Sequence, residues 1–280
     1  MAGRLEGKVV VITGTGGGQG REAALRFVHE GAKVVGCDLK AEGNEETVRL
    51  VDRAGGRMLG LHPLDLTVEG EVESLMKAAE AEFGGIDVLY NNAGAFRAGT
   101  LESQSYEDFE FSLRAEISTV FLAVKHVIPR MRTRGGGSII NVGSIAGQVG
   151  TSIAGNLPGA AVHCISKAGV IRLSEVAAIE LSPLKIRVNT ISPGVILTPQ
   201  LAPFIGEKGD EGLAAEFIRE SLSDRVGQSS DVVNAAVFLA SDEAEWITGI
   251  NLTVDGGFVA SGGRGKPDSR VAEIMRQIKG

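Results

Sequence analysis

The octapeptide Thr13–Gly20, TGTGGGQG, restricts this chain more than any other stretch. It follows a β-branched run, Lys8–Thr13 (KVVVIT), and opens an amphipathic stretch, Arg21–Glu30. Strand, glycine cluster and helix in that order make a sharp turn whose backbone can approach an anion closely. The helix N-terminus beyond it offers free N–H groups and partial positive charge, which suits a pyrophosphate. Gly14, Gly18, Gln19 and Gly20 are the expected contacts. The next strand, Lys33–Asp38 (KVVGCD), ends in a carboxylate about 20 residues downstream. There Asp38 can accept hydrogen bonds from an adenosine ribose diol and repel a 2′-phosphate. Lys40 and Arg21 are nearby and are read as solvated surface charges. The pattern points to NAD in preference to NADP.

Short apolar runs continue to alternate with helical stretches. Arg57–Leu64 is expected as a third strand, Glu69–Phe83 as a helix and Val88–Tyr90 as a fourth strand. Ser105 is placed to cap one long helix reaching about Arg132; Ser138–Val142 (SIINV) then gives a fifth strand, and Ala161–Leu181 a helix. Ile186–Ile191, a helix from about Asp231 and a strand at Asn251–Val254 complete the series. Strands separated by helices of this length imply βαβ crossovers. The expected fold is an α/β, single-domain, doubly wound parallel sheet of Rossmann type flanked by helices, covering residues 1–260. Residues 261–280 form a polar C-terminal tail, with a short helix over Arg270–Lys279 and no assigned role. Residues 196–222 are long and mixed enough to be a mobile substrate lid, whose Leu197, Leu201, Phe204 and Ile205 suggest an apolar wall.

Charge and cysteine content narrow the partners. With 28 Lys and Arg against 35 Asp and Glu, the net charge of −7 disfavours nucleic acid. Cys37 and Cys164 are too few for a disulfide framework or a metal site and are expected as buried free thiols. No leader-like or membrane-spanning run stands out, so a cytoplasmic protein is expected.

At this point several motifs act together. TGTGGGQG, Asp65-Leu66, Asn91-Asn92-Ala93-Gly94, Gly137–Ser144 (GSIINVGS), Ile186–Asn189 (IRVN), Ser192-Pro193-Gly194 and Val254–Gly257 (VDGG) resemble the classical branch of the short-chain dehydrogenase/reductase family, over residues 5 to about 258. The resemblance implies that Asp65 and Leu66 meet the adenine and that Asn92, Ala93 and Gly94 pass the adenosine half. It also implies that Pro193, Gly194, Ile196 and Thr198 lie near the nicotinamide, and that Lys167 holds the nicotinamide ribose. A homo-oligomer, a tetramer by resemblance, fits the wide apolar surface of the Ser105–Arg132 helix (Phe111, Leu113, Ile117, Val120, Phe121, Val124).

The family works with Ser, Tyr and Lys, helped by an Asn on the fourth helix. Ser144 and Lys167 stand where the resemblance requires them, but His163 replaces the Tyr and Glu116 the Asn. The only tyrosines, Tyr90 and Tyr106, are not placed to substitute, and the stretch over 145–162 is longer than the family usually has. An unperturbed imidazole titrates near 6.5 and can serve as acid/base near neutrality. Glu116, if close, would favour its charged form and orient the ring through one nitrogen; Lys167, if charged, would oppose that. Three functions stay open. They are NAD-dependent interconversion of a secondary alcohol and a ketone on a small or medium apolar substrate, a non-redox lyase or isomerase on the same cleft, and NAD binding without redox catalysis.

Overall fold

A computed structural model describes residues 3–150, 160–199, 201–202, 211–266 and 278. The strands are β1 (Val9–Thr13), β2 (Lys33–Cys37), β3 (Met58–Leu61), β4 (Val88–Asn91), β5 (Gly137–Val142), β6 (Ile186–Pro193), β7 (Ile196–Leu197), β8 (Gly227–Gln228) and β9 (Asn251–Val254). Seven of them form one sheet in the order β3-β2-β1-β4-β5-β6-β9, every neighbour parallel. The order reverses direction between β1 and β4, and a crevice at that switch point is where such sheets place ligands. In β1 all five residues are buried, because helices cover both faces.

The two coats are distinct. Helices α1 (Gly18–His29), α2 (Ala41–Arg53) and, later in the chain, the helix over Ser229–Ala240 put Ala23, Ala24, Phe27, Val51, Val232, Val233 and Val237 on one face. Helix α3 (Glu69–Phe83) and the helical stretches over residues 119–134 and 161–181 cover the other with Val72, Leu75, Met76, Val120, Val127 and Val170. Burying each such side chain is worth about 1.5–3 kcal/mol. No helix among the described residues is long and apolar enough to cross a membrane.

Three expectations change. The third strand is shorter than Arg57–Leu64, spanning Met58–Leu61; Pro63 carries no N–H for a ladder. The expected single helix from Ser105 is three pieces, α4 (Tyr106–Leu113), a π turn (Arg114–Ser118) and α5 (Thr119–Arg134). Ser105 does cap it, its Oγ accepting the Asp108 N–H at 3.0 Å. Cys164 is only half-buried, whereas Cys37 is fully buried and its thiol is pushed up to about 12 by desolvation.

Helix α6 (Ala161–Leu181) keeps its expected bounds. A buried polar chain pins it to the sheet: Asn91 Nδ2 donates to Asn141 Oδ1 at 2.8 Å, and Asn141 Nδ2 to Ser174 Oγ at 2.9 Å. Of the expected lid, β7 pairs with β8, and α7 (Leu213–Glu220) packs Ala214 and Phe217 against Ile145, Val195, Val226 and Phe258. Phe204, Ile205 and residues 151–159 lie outside the described residues, as does most of the expected tail helix. Helix α8 (Ser229–Ala240) and a short α9 (Phe258–Ser261) complete the elements described.

Glu30, just after α1, fastens the N-terminal segment. Its carboxylate meets Arg4 Nη2 at 2.7 Å and Arg26 Nη2 at 3.3 Å, while its carbonyl accepts the N–H of the buried Leu5. The Arg4 hydrogen bond is the main reason its carboxyl falls from 4.5 to about 2. A carboxyl lowered on folding stabilises the native state above its unfolded value and loses that contribution as pH falls through the folded one. Urea unfolding should show wild type about 1–2 kcal/mol more stable than Glu30→Gln above about pH 5, allowing for solvent screening of the half-exposed arginines, with the gap closing toward about pH 2.

Candidate active site

The glycine turn is built by close backbone approach. A Cβ on Gly20 would stand 1.9 Å from the Gly14 carbonyl oxygen, so α1 can begin there only without a side chain. Gly14 has φ +76° and Gly18 φ +50°, both in the left-handed region that favours glycine. No side chain caps α1, and Gln19 Oε1 is buried without a partner among the described residues. An anion or amide from a bound dinucleotide fits this uncapped end. Asp38 closes the turn: Oδ2 accepts the Gly16 N–H and Oδ1 the Lys40 N–H, each at 2.8 Å.

Arg21 is not the solvated charge expected from the sequence. It donates to Thr47 Oγ1 at 3.0 Å, Gly16 O at 3.1 Å and Gly43 O at 3.0 Å, bolting the turn to α2. The fully buried Asn44 continues the buttress by accepting the Thr15 hydroxyl at 2.7 Å.

The β4 loop is fixed by Thr13, whose Oγ1 accepts the N–H groups of both Asn92 and Ala93 at 3.0 Å. Asn92 Nδ2 donates to Thr13 O at 3.1 Å, so this side chain is spent holding β1 and β4 together. Gly94 then comes against the catalytic end of the cleft: a Cβ there would lie 3.7 Å from Lys167 Nζ and 3.9 Å from Glu116 Oε1. Asp65 Oδ1 accepts the Thr67 N–H and hydroxyl, both at 2.8 Å, ahead of α3, and Leu66 is buried. Pro193 and Ile196 are buried, and Gly194 and Thr198 partly buried, beyond the end of β6.

Glu116, His163 and Lys167 form one cluster. The π turn turns Glu116 inward to 2% exposure, where Oε1 meets His163 Nδ1 at 2.7 Å and lies 3.9 Å from Lys167 Nζ. Glu116 Oε2 is buried without a partner among the described residues. Nδ1–H is the tautomer that satisfies this carboxylate, which only accepts, and Nε2 has no hydrogen-bond partner among the described residues. Lys167 Nζ donates to Val142 O at 3.0 Å; burial pulls its pKa down, and Glu116 works against that. Ser144 follows two residues after Val142 and caps a 3₁₀ turn (Ile145–Gly147) by accepting the Ala146 N–H at 3.1 Å. Neither tyrosine enters: Tyr90 is buried against Phe27, and Tyr106 is exposed.

Two residues escaped the sequence reading. Phe96 stacks on the His163 ring with centroids 4.6 Å apart and planes 28° apart. Thr13 carried no local signal, since the amides it accepts come from Asn92 and Ala93, far along the chain. Thr13→Val would strand those two N–H groups at a cost of about 1–3 kcal/mol each at most. We expect lower stability in urea unfolding and at least a ten-fold weaker dinucleotide affinity by calorimetry.

Known proteins match nearly the whole chain. The family described as enoyl-(acyl carrier protein) reductase matches residues 14–259. A 2,5-dichloro-2,5-cyclohexadiene-1,4-diol dehydrogenase of Sphingobium indicum is 38% identical, covering 92% of this chain and 98% of its own. D-threitol dehydrogenase of Mycolicibacterium smegmatis is 36% identical over 91% of this chain and 94% of its own. Cyclopentanol dehydrogenase of a Comamonas strain is 35% identical over 92% of this chain and all of its own. The solved structure of 7α-hydroxysteroid dehydrogenase complexed with NADH and 7-oxo glycochenodeoxycholic acid superposes with a TM-score of 0.83 at 33% identity, covering 91% of this chain and 95% of that one. The chain is thus an oxidoreductase, and it belongs to the short-chain dehydrogenase/reductase family.

Proposed function

We propose that this oxidoreductase is NAD-dependent and interconverts a secondary alcohol and a ketone, with His163 in the place of the family's tyrosine. The 2.7 Å contact between His163 Nδ1 and the buried Glu116 carries the reading. It fixes the ring plane and leaves Nε2 as the base. The named alcohols of the relatives, two of them cyclic, support a secondary carbinol as the reacting group.

NAD would be held by Gly14, Gly18, Gln19 and Gly20 at the pyrophosphate, by Asp38 at the adenosine ribose, and by Asp65 and Leu66 at the adenine. Asn92, Ala93 and Gly94 would line its path, with Lys167, Pro193, Gly194, Ile196 and Thr198 at the nicotinamide half. When bound, it supplies the hydride acceptor. The protein's own residues handle the proton. His163 Nε2 takes the hydroxyl proton, Ser144 Oγ donates to the developing carbonyl oxygen, and Glu116 stabilises the imidazolium that forms. In reduction the imidazolium returns the proton. Lys167, whose Nζ donates to the Val142 carbonyl, would use its remaining N–H groups to hold a ribose hydroxyl.

Asp38 supports NAD over NADP, because its carboxylate is fixed on two backbone N–H groups and Arg21 is committed to backbone and Thr47. Residues 196–222 serve as the substrate lid in this reading, supported by the separate small core under α7. A tetramer is supported by the exposed Phe121 on α5 and Ile165, Val176 and Ile179 on α6.

The decisive assay is NADH formation at 340 nm from a secondary-alcohol panel, which wild type should support. Glu116→Ala should lower kcat by about 10²-fold, since the ring loses its in-plane anchor. Glu116→Gln keeps an acceptor but removes the negative charge that stabilises the imidazolium, so kcat should fall by about ten-fold or more. An unchanged kcat in Glu116→Gln, or substrate turnover with no change at 340 nm, overturns the reading. Asp38→Ala should cut the preference for NAD over NADP by at least about ten-fold in kcat/KM, because a like-charge contact is removed.

A further inference from the structure

Resting on the proposed oxidation, we infer that Phe96 is a specificity-determining residue: it holds the imidazole plane and selects alcohols whose carbinol lies on an apolar ring over open-chain polyols. The ring contact is the starting point. Phe96 and His163 overlap at 4.6 Å with planes 28° apart, so the phenyl covers a face of the imidazole while Glu116 engages its edge. Together these contacts restrain both tilt and rotation.

Neighbouring contacts hold Phe96 there. Arg97 donates its backbone N–H to the buried Ser112 Oγ at 3.0 Å and its guanidinium to Asp108 Oδ1 at 2.6 Å. The same guanidinium lies 4.2 Å from the Phe111 ring centroid, and Gln104 Nε2 donates to Arg97 O at 2.8 Å. The residue after Phe96 is thereby locked to α4, so the phenyl is a fixed wall and not a loose loop side chain.

Exposure shows which surface remains for substrate. The His163 side chain is 11% exposed, whereas Phe96 keeps 41%. Because the phenyl lies on the imidazole, its exposed part is the apolar surface a carbinol at His163 would meet. An apolar ring gains by packing there. A polyol must strip water from hydroxyls that the phenyl cannot hydrogen-bond.

The full-length enzyme with saturating NAD should be assayed on cyclohexanol and erythritol as wild type, Phe96→Ala and Phe96→Tyr. We expect Phe96→Ala to lower kcat/KM for cyclohexanol by about ten-fold or more beyond its effect on erythritol, since one apolar contact discriminates by about 10–200-fold. Phe96→Tyr, which keeps the ring, should restore the preference. Equal losses on both alcohols in Phe96→Ala overturn the inference. An independent readout needs no turnover: NMR with NAD and cyclohexanone, a pair that cannot exchange hydride. Ring-proton signals of His163 should lose their ring-current displacement in Phe96→Ala, and cyclohexanone should shift the Phe96 signals of wild type where erythritol does not. Absence of either shift overturns the inference. Failure of wild type to oxidise any alcohol overturns the proposed oxidation, and the NMR pattern then decides the role of Phe96 separately.

Discussion

A carboxylate taken out of water must be answered by a partner, and at Glu116 that requirement organises the cleft. The side chain is 2% exposed, and the groups that answer it are His163 and Lys167 on α6. Removing one partner of such a buried set is far more damaging than replacing the whole set, because it leaves charge or a polar nitrogen stranded. The two departures from the family pattern are therefore one change. The imidazole at 163 gives the buried carboxylate at 116 a hydrogen-bond partner, and the carboxylate gives the imidazole the one group nearby that can stabilise its charged form.

The rest of the molecule delivers these groups to one place. α6 is set by the Asn91–Asn141–Ser174 chain, and the same helix presents His163 and Lys167 four residues apart on one side. Lys167 is tied to the last residue of β5, from which the chain runs on to Ser144. Thr13 draws the β4 loop onto the end of β1, which brings Gly94 against the cluster. Each of these ties joins segments distant in sequence, and together they build the cleft at the C-terminal ends of the central strands.

The fold was legible because its signals are local. A β-branched run followed by glycines and an amphipathic stretch states its structure within about 20 residues, and the expected bounds of α6 match the observed ones. Glu116 and His163 were visible as substitutions, yet their contact was not, since 47 residues separate them. Arg21 was misread for the same reason: its acceptors lie on α2 and on backbone oxygens that composition cannot show. Phe96 sits in a stretch without periodicity, and only the anchoring of Arg97 reveals where it stands.

The π turn at Arg114–Ser118 has a consequence for how this helix can change. A wide turn accommodates a residue that a regular α-helix would have to place elsewhere. Losing one residue there would let the helix run straight from α4 into α5 with both flanks keeping their faces, because the wide turn holds one residue more than a regular one. The apolar face of α5 is held by Val120, Val124 and Val127 in the core, so the change would fall on the turn and at Glu116 itself. A single codon deletion would thus cost little packing and yet withdraw the carboxylate from the imidazole, making the length of this helix, and not only its composition, a heritable control on the chemistry of the cleft.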